Sequence, residues 1–437
     1  MRHQRSFLSA SLLVVLIVSL LAIALPTGMV DRVYADGPRY HPGEVVVKVD
    51  STSGQSIEDV NAKYGTTTIE PLTYDSDTYL LQLPSGTDTQ LAVSQLDTDV
   101  ALDFAEPNYT SQAPESTGRG IKGFGGFDAA PFASQYAVDL LGVAQAHAIS
   151  TGSGMVVAVI DTGVQLNHPV LSDSLTIGYD FVDGDSLPED VSNGLDDDGN
   201  GLVDEGAGHG THVAGIIHLV APDAQIMPLR VLDSDGKGDV IDVAKAIDYA
   251  VAHGANVINL SLGTSAQSDL LKDVIRNATL HGVVVIAATG NLHTDVAQYP
   301  AATPCALSVT SIGPTDILSD FANYGGWVDF AAPGEAIYST LPTDGYGTWS
   351  GTSMAAPFVA GQAALILSRA PWMNVRRVSA VMGATAKSLD NLNPLYAGRL
   401  GLGQVDVGAS LALFANGDYL PPSRKGLISS SCVTYTN

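Results

Sequence analysis

Ser353 stands in Gly351-Thr352-Ser353-Met354-Ala355-Ala356-Pro357, ahead of an uncharged run from Phe358 to Leu367 with small residues at 360, 361, 363 and 364. That run predicts a helix buried all round. A serine at its mouth lies where free backbone N–H groups and the positive end of the helix dipole stabilise an oxyanion, as an acyl-transfer nucleophile requires. Taken alone, such a serine is more often an N-cap, so the reading depends on its company. Asp161 follows the unbroken apolar stretch Met155 to Ile160, in Asp161-Thr162-Gly163, where a lone Asp would form a turn. His209 lies in Gly208-His209-Gly210-Thr211-His212-Val213-Ala214-Gly215, at a predicted helix start, and Asn291 closes Ala287-Ala288-Thr289-Gly290-Asn291. Together they supply a nucleophile, a base that titrates near neutrality and a carboxylate that fixes the imidazole tautomer. The Asn291 amide would add an oxyanion donor beside the Ser353 backbone N–H.

Such groups need a scaffold that brings them to one edge. Apolar strands are predicted at Met155 to Ile160, Gln225 to Val231, Val257 to Leu260, Val283 to Ala287 and Leu307 to Ile312. Helical stretches fall between them at Thr211 to Ile217, Val240 to Ala252 and Ser268 to His281. The alternation implies an α/β fold, a doubly wound parallel sheet that binds ligands at the carboxyl ends of its strands. Ahead of it, strands at Glu44 to Val49, Thr66 to Leu72, Thr78 to Leu83 and Val100 to Phe104, with helices at Ser56 to Lys63 and Thr87 to Gln95, give the order of a small ferredoxin-like α+β unit.

The expected organisation is a signal peptide at 1–35, the small unit at 36–112, a Gly-, Ser- and Pro-rich linker at 113–132, the large domain at 133–415 and a tail at 416–437 without periodicity. Arg2 and Arg5 before the apolar run Phe7 to Leu25, then Val33-Tyr34-Ala35, have the form of an export signal, with an uncleaved membrane anchor as the alternative. A small folded unit between signal and linker reads as a removable pro-segment, or as an accessory binding domain.

Of 437 residues, 45% are hydrophobic and 15% charged, which fits a large core rather than disorder. The net charge of −26 argues against nucleic acid or an anionic membrane surface as partner. Cys305 and Cys432, the only cysteines, form neither a metal-ligand spacing nor a disulfide scaffold. Whether they pair is not legible, and the default readings are a small buried hydrophobe and a tail residue.

The four motifs, in the order Asp, His, Asn, Ser, make residues 133 to 415 resemble the catalytic domain of the subtilisin-like serine proteases (subtilases), in the pattern of thermitase-like and fervidolysin-like secreted members. The resemblance implies a serine endopeptidase with Ser353 as nucleophile, His209 as acid and base, Asp161 as orienter and Asn291 as oxyanion donor, while His212 is structural. Residues 40 to 112 resemble the family's inhibitory pro-domain, including Glu106-Pro107-Asn108-Tyr109. The implied partners are polypeptides in extended conformation and the chain's own pro-domain, and a monomer is expected. Ser261-Leu262-Gly263 matches the segment that pairs with a substrate backbone by strand addition. Together with Ala288-Thr289-Gly290 it would wall the primary specificity pocket, with Gln298 at its base.

Calcium is the expected cofactor. Asp180, Asp183 and Asp185 resemble a calcium loop of the thermitase-like members, and Asp196, Asp198 and Asn200, followed by Asp204, alternate oxygens as an EF-hand loop begins. The bidentate Glu of such a loop is missing, since Ala207 takes its place. The short His218-Leu219 connection and Val170 imply that another calcium site of many relatives is lost. A non-catalytic calcium-binding extracellular module with the same fold is the rival reading. An α/β-hydrolase esterase fits less well, because Ala355 stands where that class needs glycine.

Overall fold

The computed structural model describes residues 39–72, 77–117, 121–415, 427–428 and 430–433. The apolar stretch read as an export signal and most of the tail lie outside these residues. No helix among those described is long and apolar enough to cross a membrane.

The N-terminal unit runs β1 (Tyr40–Val49), α1 (Ile57–Tyr64), β2 (Thr67–Pro71), β3 (Thr78–Gln82), α2 (Thr89–Leu96) and β4 (Leu102–Gln112). Ser56 and Asp59 close a reciprocal capping box on α1, and Asp88 caps α2 through the Leu91 N–H. Val45, Val47, Leu81 and Leu96 bury a small core between helices and sheet. Strand β4, expected to stop at Phe104, continues to Gln112. Ala105 to Tyr109 pair with β1, and only its last three residues find partners far along the chain: Thr110, Ser111 and Gln112 pair antiparallel with Asp239, Gly238 and Lys237.

The described residues of the expected linker, 113–117 and 121–132, carry regular structure. Pro114–Thr117 form a 3-10 turn, β5 (Ile121–Gly126) pairs with a later strand, and α3 (Ala130–Ala133) follows. Two short helices, α4 (Tyr136–Leu141) and α5 (Val143–His147), lead into the large domain.

That domain contains β6 (Val156–Asp161), β7 (Tyr179–Asp180), α6 (His209–Val220), β8 (Gln225–Arg230), β9 (Lys237–Asp239), α7 (Val240–Ala252), β10 (Val257–Leu260) and α8 (Asp269–Leu280). It continues with β11 (Val284–Ala288), β12 (Leu307–Ile312), β13 (Phe330–Pro333), β14 (Ile337–Leu341), β15 (Gly345–Ser350), α9 (Thr352–Arg369), α10 (Val375–Thr385) and α11 (Val407–Ala412). The main sheet has the order β13-β12-β11-β10-β6-β8-β7 and every pair in it is parallel. Strands β10, β11 and β12 are buried throughout, which is why they read as continuous apolar runs rather than alternations.

Helix α9 is buried from Thr352 to Leu367. Its small residues serve close packing: a Cβ on Gly361 would come within 2.6 Å of Val220 on α6. Pro357 lies inside the helix and cannot donate to the carbonyl of Ser353 four residues back. That carbonyl instead accepts the Ser261 hydroxyl at 3.0 Å, which ties the helix start to the segment after β10.

Cys305 and Cys432 form a disulfide with Cα atoms 5.6 Å apart, so the default readings of both residues give way. The bridge holds the described part of the tail on the body, with Ile428 and Cys432 buried.

Candidate active site

Asp161 is the last residue of β6 and His209 the first of α6, so sheet and helix deliver the two side chains to one edge. His209 Nδ1 lies 2.6 Å from Asp161 Oδ1, and both residues are fully buried. Asp190 braces this pair. Its carboxylate accepts the Gly208 N–H at 2.8 Å, the Thr211 N–H at 3.0 Å and hydroxyl at 2.6 Å, and the Thr162 hydroxyl at 3.2 Å. Burial pushes the Asp190 carboxyl up to about 6 against the pull of these donors. One carboxylate thereby joins the residue after Asp161 to both flanks of His209.

Ser353 is the second residue of α9. Its Oγ donates to Glu115 Oε2 at 2.7 Å, and His209 Nε2 lies 2.9 Å from the same oxygen. Asn291 Nδ2 donates to Glu115 Oε1 at 2.8 Å. The amide is held in that orientation because Asn291 Oδ1 accepts both the N–H and the hydroxyl of Thr352, each at 2.9 Å. Ser353, His209 and Asn291 therefore converge on the two oxygens of one carboxylate, contributed by the 3-10 turn of the N-terminal segment. Gly351 leaves room for it, since a Cβ there would fall 1.6 Å from Glu115 Oε1.

This contact sets the charge state. Burial by itself would lower the His209 pKa, but the charge and hydrogen bond of Asp161, then those of Glu115, lift it to about 10. Burial opposes ionisation of Glu115 too, yet His209, Ser353 and Asn291 together hold its carboxyl below the usual range. Both directions favour a protonated imidazole facing an ionised carboxylate. His212 behaves oppositely: burial drives it down to about 3, and its ring stacks on Trp349 at 5.0 Å while Nε2 faces the Ile337 and Gly347 carbonyls.

The N-terminal segment reaches this place as a strand. Gln112 and Gly263 exchange backbone hydrogen bonds of 3.0 and 2.9 Å, while β9 pairs with β4 on its other side. Gln112, Pro114, Gly263, Ala288, Gly290, Asn291, Leu292 and Gln298 line one cavity. Of the predicted pocket walls, Thr289 is absent from it: its hydroxyl points to the Asn323 carbonyl, and Leu262 is buried in the core. Ser261 faces Ser353 through both its hydroxyl and its carbonyl. Upstream, Glu106 receives the Ser268 hydroxyl at 2.6 Å and the Asp269 N–H at 2.8 Å at the start of α8, and burial pushes it up to about 7.

The two acidic loops differ. Asp180 and Asp183 are not free ligands, because Arg230 Nη1 binds them at 2.8 and 2.6 Å and supplies the cation itself. Asp185 caps the Leu187 N–H. These three therefore do not form the expected metal site. In the second loop, Asp196 and Asp198 meet Asp235, which is fully buried, with ligand oxygens within 4.8 Å of one another. Asn200 and Asp204 touch that group through hydrogen bonds: the Asn200 N–H donates to Asp196 and Asp198, and the Asp204 N–H to Asp235, while their side-chain oxygens cap the N–H groups of Leu202 and of Asn193 and Gly194.

Sequence reasoning missed Glu115, Asp190 and Asp235. Glu115 carried one faint signal, as the only acidic residue between Glu106 and Asp128.

A hydroxyl, an imidazole and a carboxylate gathered at the carboxyl edge of a parallel sheet are the groups that serine hydrolases use. Residues 152–403 match the model of the subtilase family, and residues 32–108 match that of the fervidolysin N-terminal prodomain. The chain belongs to the subtilase family and is a serine endopeptidase carrying a pro-domain. It is 40% identical to thermitase from Thermoactinomyces vulgaris over 59% of this chain and 89% of that protein. It is 38% identical to a thermophilic serine proteinase of Bacillus sp. (strain AK1) over 64% and 67%. The crystal structure of fervidolysin from Fervidobacterium pennivorans, a keratinolytic enzyme related to subtilisin, shares the fold with a TM-score of 0.71 at 24% identity, over 88% of this chain and 62% of that one.

Proposed function

We propose that the chain is exported as an inactive precursor and cleaves polypeptides through an acyl-enzyme. In this reading Ser353 Oγ attacks the scissile carbonyl carbon while His209 Nε2 takes its proton. Asp161 Oδ1 accepts Nδ1–H and holds the imidazole in the tautomer that leaves Nε2 free. Asn291 Nδ2 and the Ser353 N–H receive the oxyanion, the imidazolium returns its proton to the leaving amine, and water enters by the reverse steps. The carrying observation is that Ser353 Oγ and His209 Nε2 meet on one atom, at 2.7 and 2.9 Å, with Asp161 behind the ring.

The division into signal 1–35, pro-domain 36–112, processing segment 113–132, catalytic domain 133–415 and tail 416–437 belongs to this proposal, as does a monomeric mature form. The Cys305–Cys432 bridge supports export, since disulfides persist in oxidising compartments. Substrate would bind extended between β9 and Gly263, where Gln112 lies. Neutral, polar Gln298 on the pocket favours medium-sized or polar side chains. Sequencing the N-terminus of secreted, active protein tests export and processing together. A start within 113–132 is expected, whereas an active product that begins at Met1 contradicts the scheme.

Calcium would be held by Asp196, Asp198 and Asp235, whose three close carboxylates suit a hard cation. Lys237, now paired with Asp198, would have to turn away. At a concentration about 100 times its Kd the ion would stabilise by about 2.7 kcal/mol, and each kcal/mol raises Tm by roughly 2–4 °C for a domain of this size class. Chelation is thus expected to lower Tm by several degrees in the wild type and by much less in Asp235→Asn. A midpoint indifferent to chelator removes calcium from the account.

A further inference from the structure

The N-terminal segment flanks the catalytic centre on both sides. Gln112 is bonded to Gly263, two residues from the Ser261 that touches Ser353. Beyond the centre, Ile121 and Lys122 pair with Ser350 and Trp349, just ahead of Ser353. The described residues after the first anchor, 113–117, do not pass Ser353 as a strand. They turn at Pro114–Thr117 and send a side chain inward.

What stands at the nucleophile is therefore a carboxylate and not a peptide carbonyl. It cannot be acylated onto Ser353, because its carbon carries negative charge on both oxygens and no leaving group. Its two oxygens nonetheless take the places that a cleavage product's carboxylate would occupy, one on the Asn291 amide at 2.8 Å, the other on Ser353 and His209. Such charge-assisted bonds, fully buried, are among the stronger polar contacts a chain can make. They also occupy the Ser353 proton and keep a proton on His209, so neither group is ready for attack.

We propose that Glu115 is an internal inhibitor that imitates the carboxylate product of peptide cleavage with a side chain, and that it sets how slowly the uncut chain first processes itself. The segment must withdraw this carboxylate before any of its own peptide bonds can reach Ser353. The inference rests on the protease reading of the same site.

The test follows full-length protein from its first appearance, reading loss of intact mass and, in parallel, the rate at which a fluorophosphonate labels Ser353 in the still uncut chain. Glu115→Ala and the isosteric Glu115→Gln are compared with wild type, each normalised to the folded fraction seen in a thermal melt. Both variants are expected to process and label about tenfold faster or more, the scale of losing one charge-assisted contact of about 1.4 kcal/mol or greater. Rates equal to or below wild type in both overturn the proposal. Ser353→Ala separates the two readings: processing that persists in that variant defeats the protease assignment, while unchanged Glu115 variants with a silent Ser353→Ala defeat only the inhibitor.

Discussion

Ser353→Ala in the processed enzyme is expected to lower kcat on a peptide substrate by about 10⁶-fold, the scale on which the related enzyme subtilisin loses turnover when its nucleophile is removed. The physical ground is that alanine leaves no atom to form the acyl intermediate. His209, Asp161 and Asn291 would remain in place, so substrate affinity should change little. The three groups act as one unit, hence adding His209→Ala to Ser353→Ala should cost almost nothing further. A double variant much slower than either single one would mean that the imidazole works on a different proton.

Asp161→Asn is expected to reduce kcat by about 10⁴-fold with the fold intact. The Asp161 carboxylate can only accept from His209 Nδ1, at 2.6 Å, and this leaves Nε2 unprotonated and facing Ser353. An asparagine can present its N–H₂ instead, which turns the tautomer round and places a proton on Nε2. Burial of the pair makes the exchange severe, because a hydrogen bond lost away from bulk solvent is costly. Steady-state kinetics should show the fall in kcat with KM close to wild type. A fall confined to KM would assign Asp161 to binding.

Much of this was legible in the chain. Residues Asp161, His209 and Ser353 each sit at a strand or helix end, Asn291 lies in the loop three residues past β11, and local pattern reveals such ends. The bounds of β10, β12 and α7 match the expected Val257 to Leu260, Leu307 to Ile312 and Val240 to Ala252, since buried apolar runs and an amphipathic stretch depend on near neighbours. What escaped depends on distant ones. Glu115 meets Ser353 across 238 positions, and only the path of the strand before it decides where its side chain goes. An end for β4 at Phe104 misses two sets of partners: Ala105 to Tyr109 pair with β1, and Thr110 to Gln112 with Lys237 to Asp239 in the other half of the protein.

The acidic loops teach the same lesson with opposite signs. Nothing near Asp180 and Asp183 announces Arg230, 50 and 47 residues away, which neutralises them. Asp196 and Asp198 lacked the terminal Glu of a loop motif, yet Asp235 comes in from outside the loop to stand beside them. The disulfide follows suit, linking positions 127 apart that no spacing rule would pair.

The most direct test of the central claim is covalent. Processed wild-type protein treated with a fluorophosphonate should carry one adduct per chain, mapped by peptide mass to Ser353, and should lose its peptidase activity in step with labelling. His209→Ala should remain almost unlabelled although its serine is present. An adduct on another serine, or full activity in protein stoichiometrically modified at Ser353, contradicts the account.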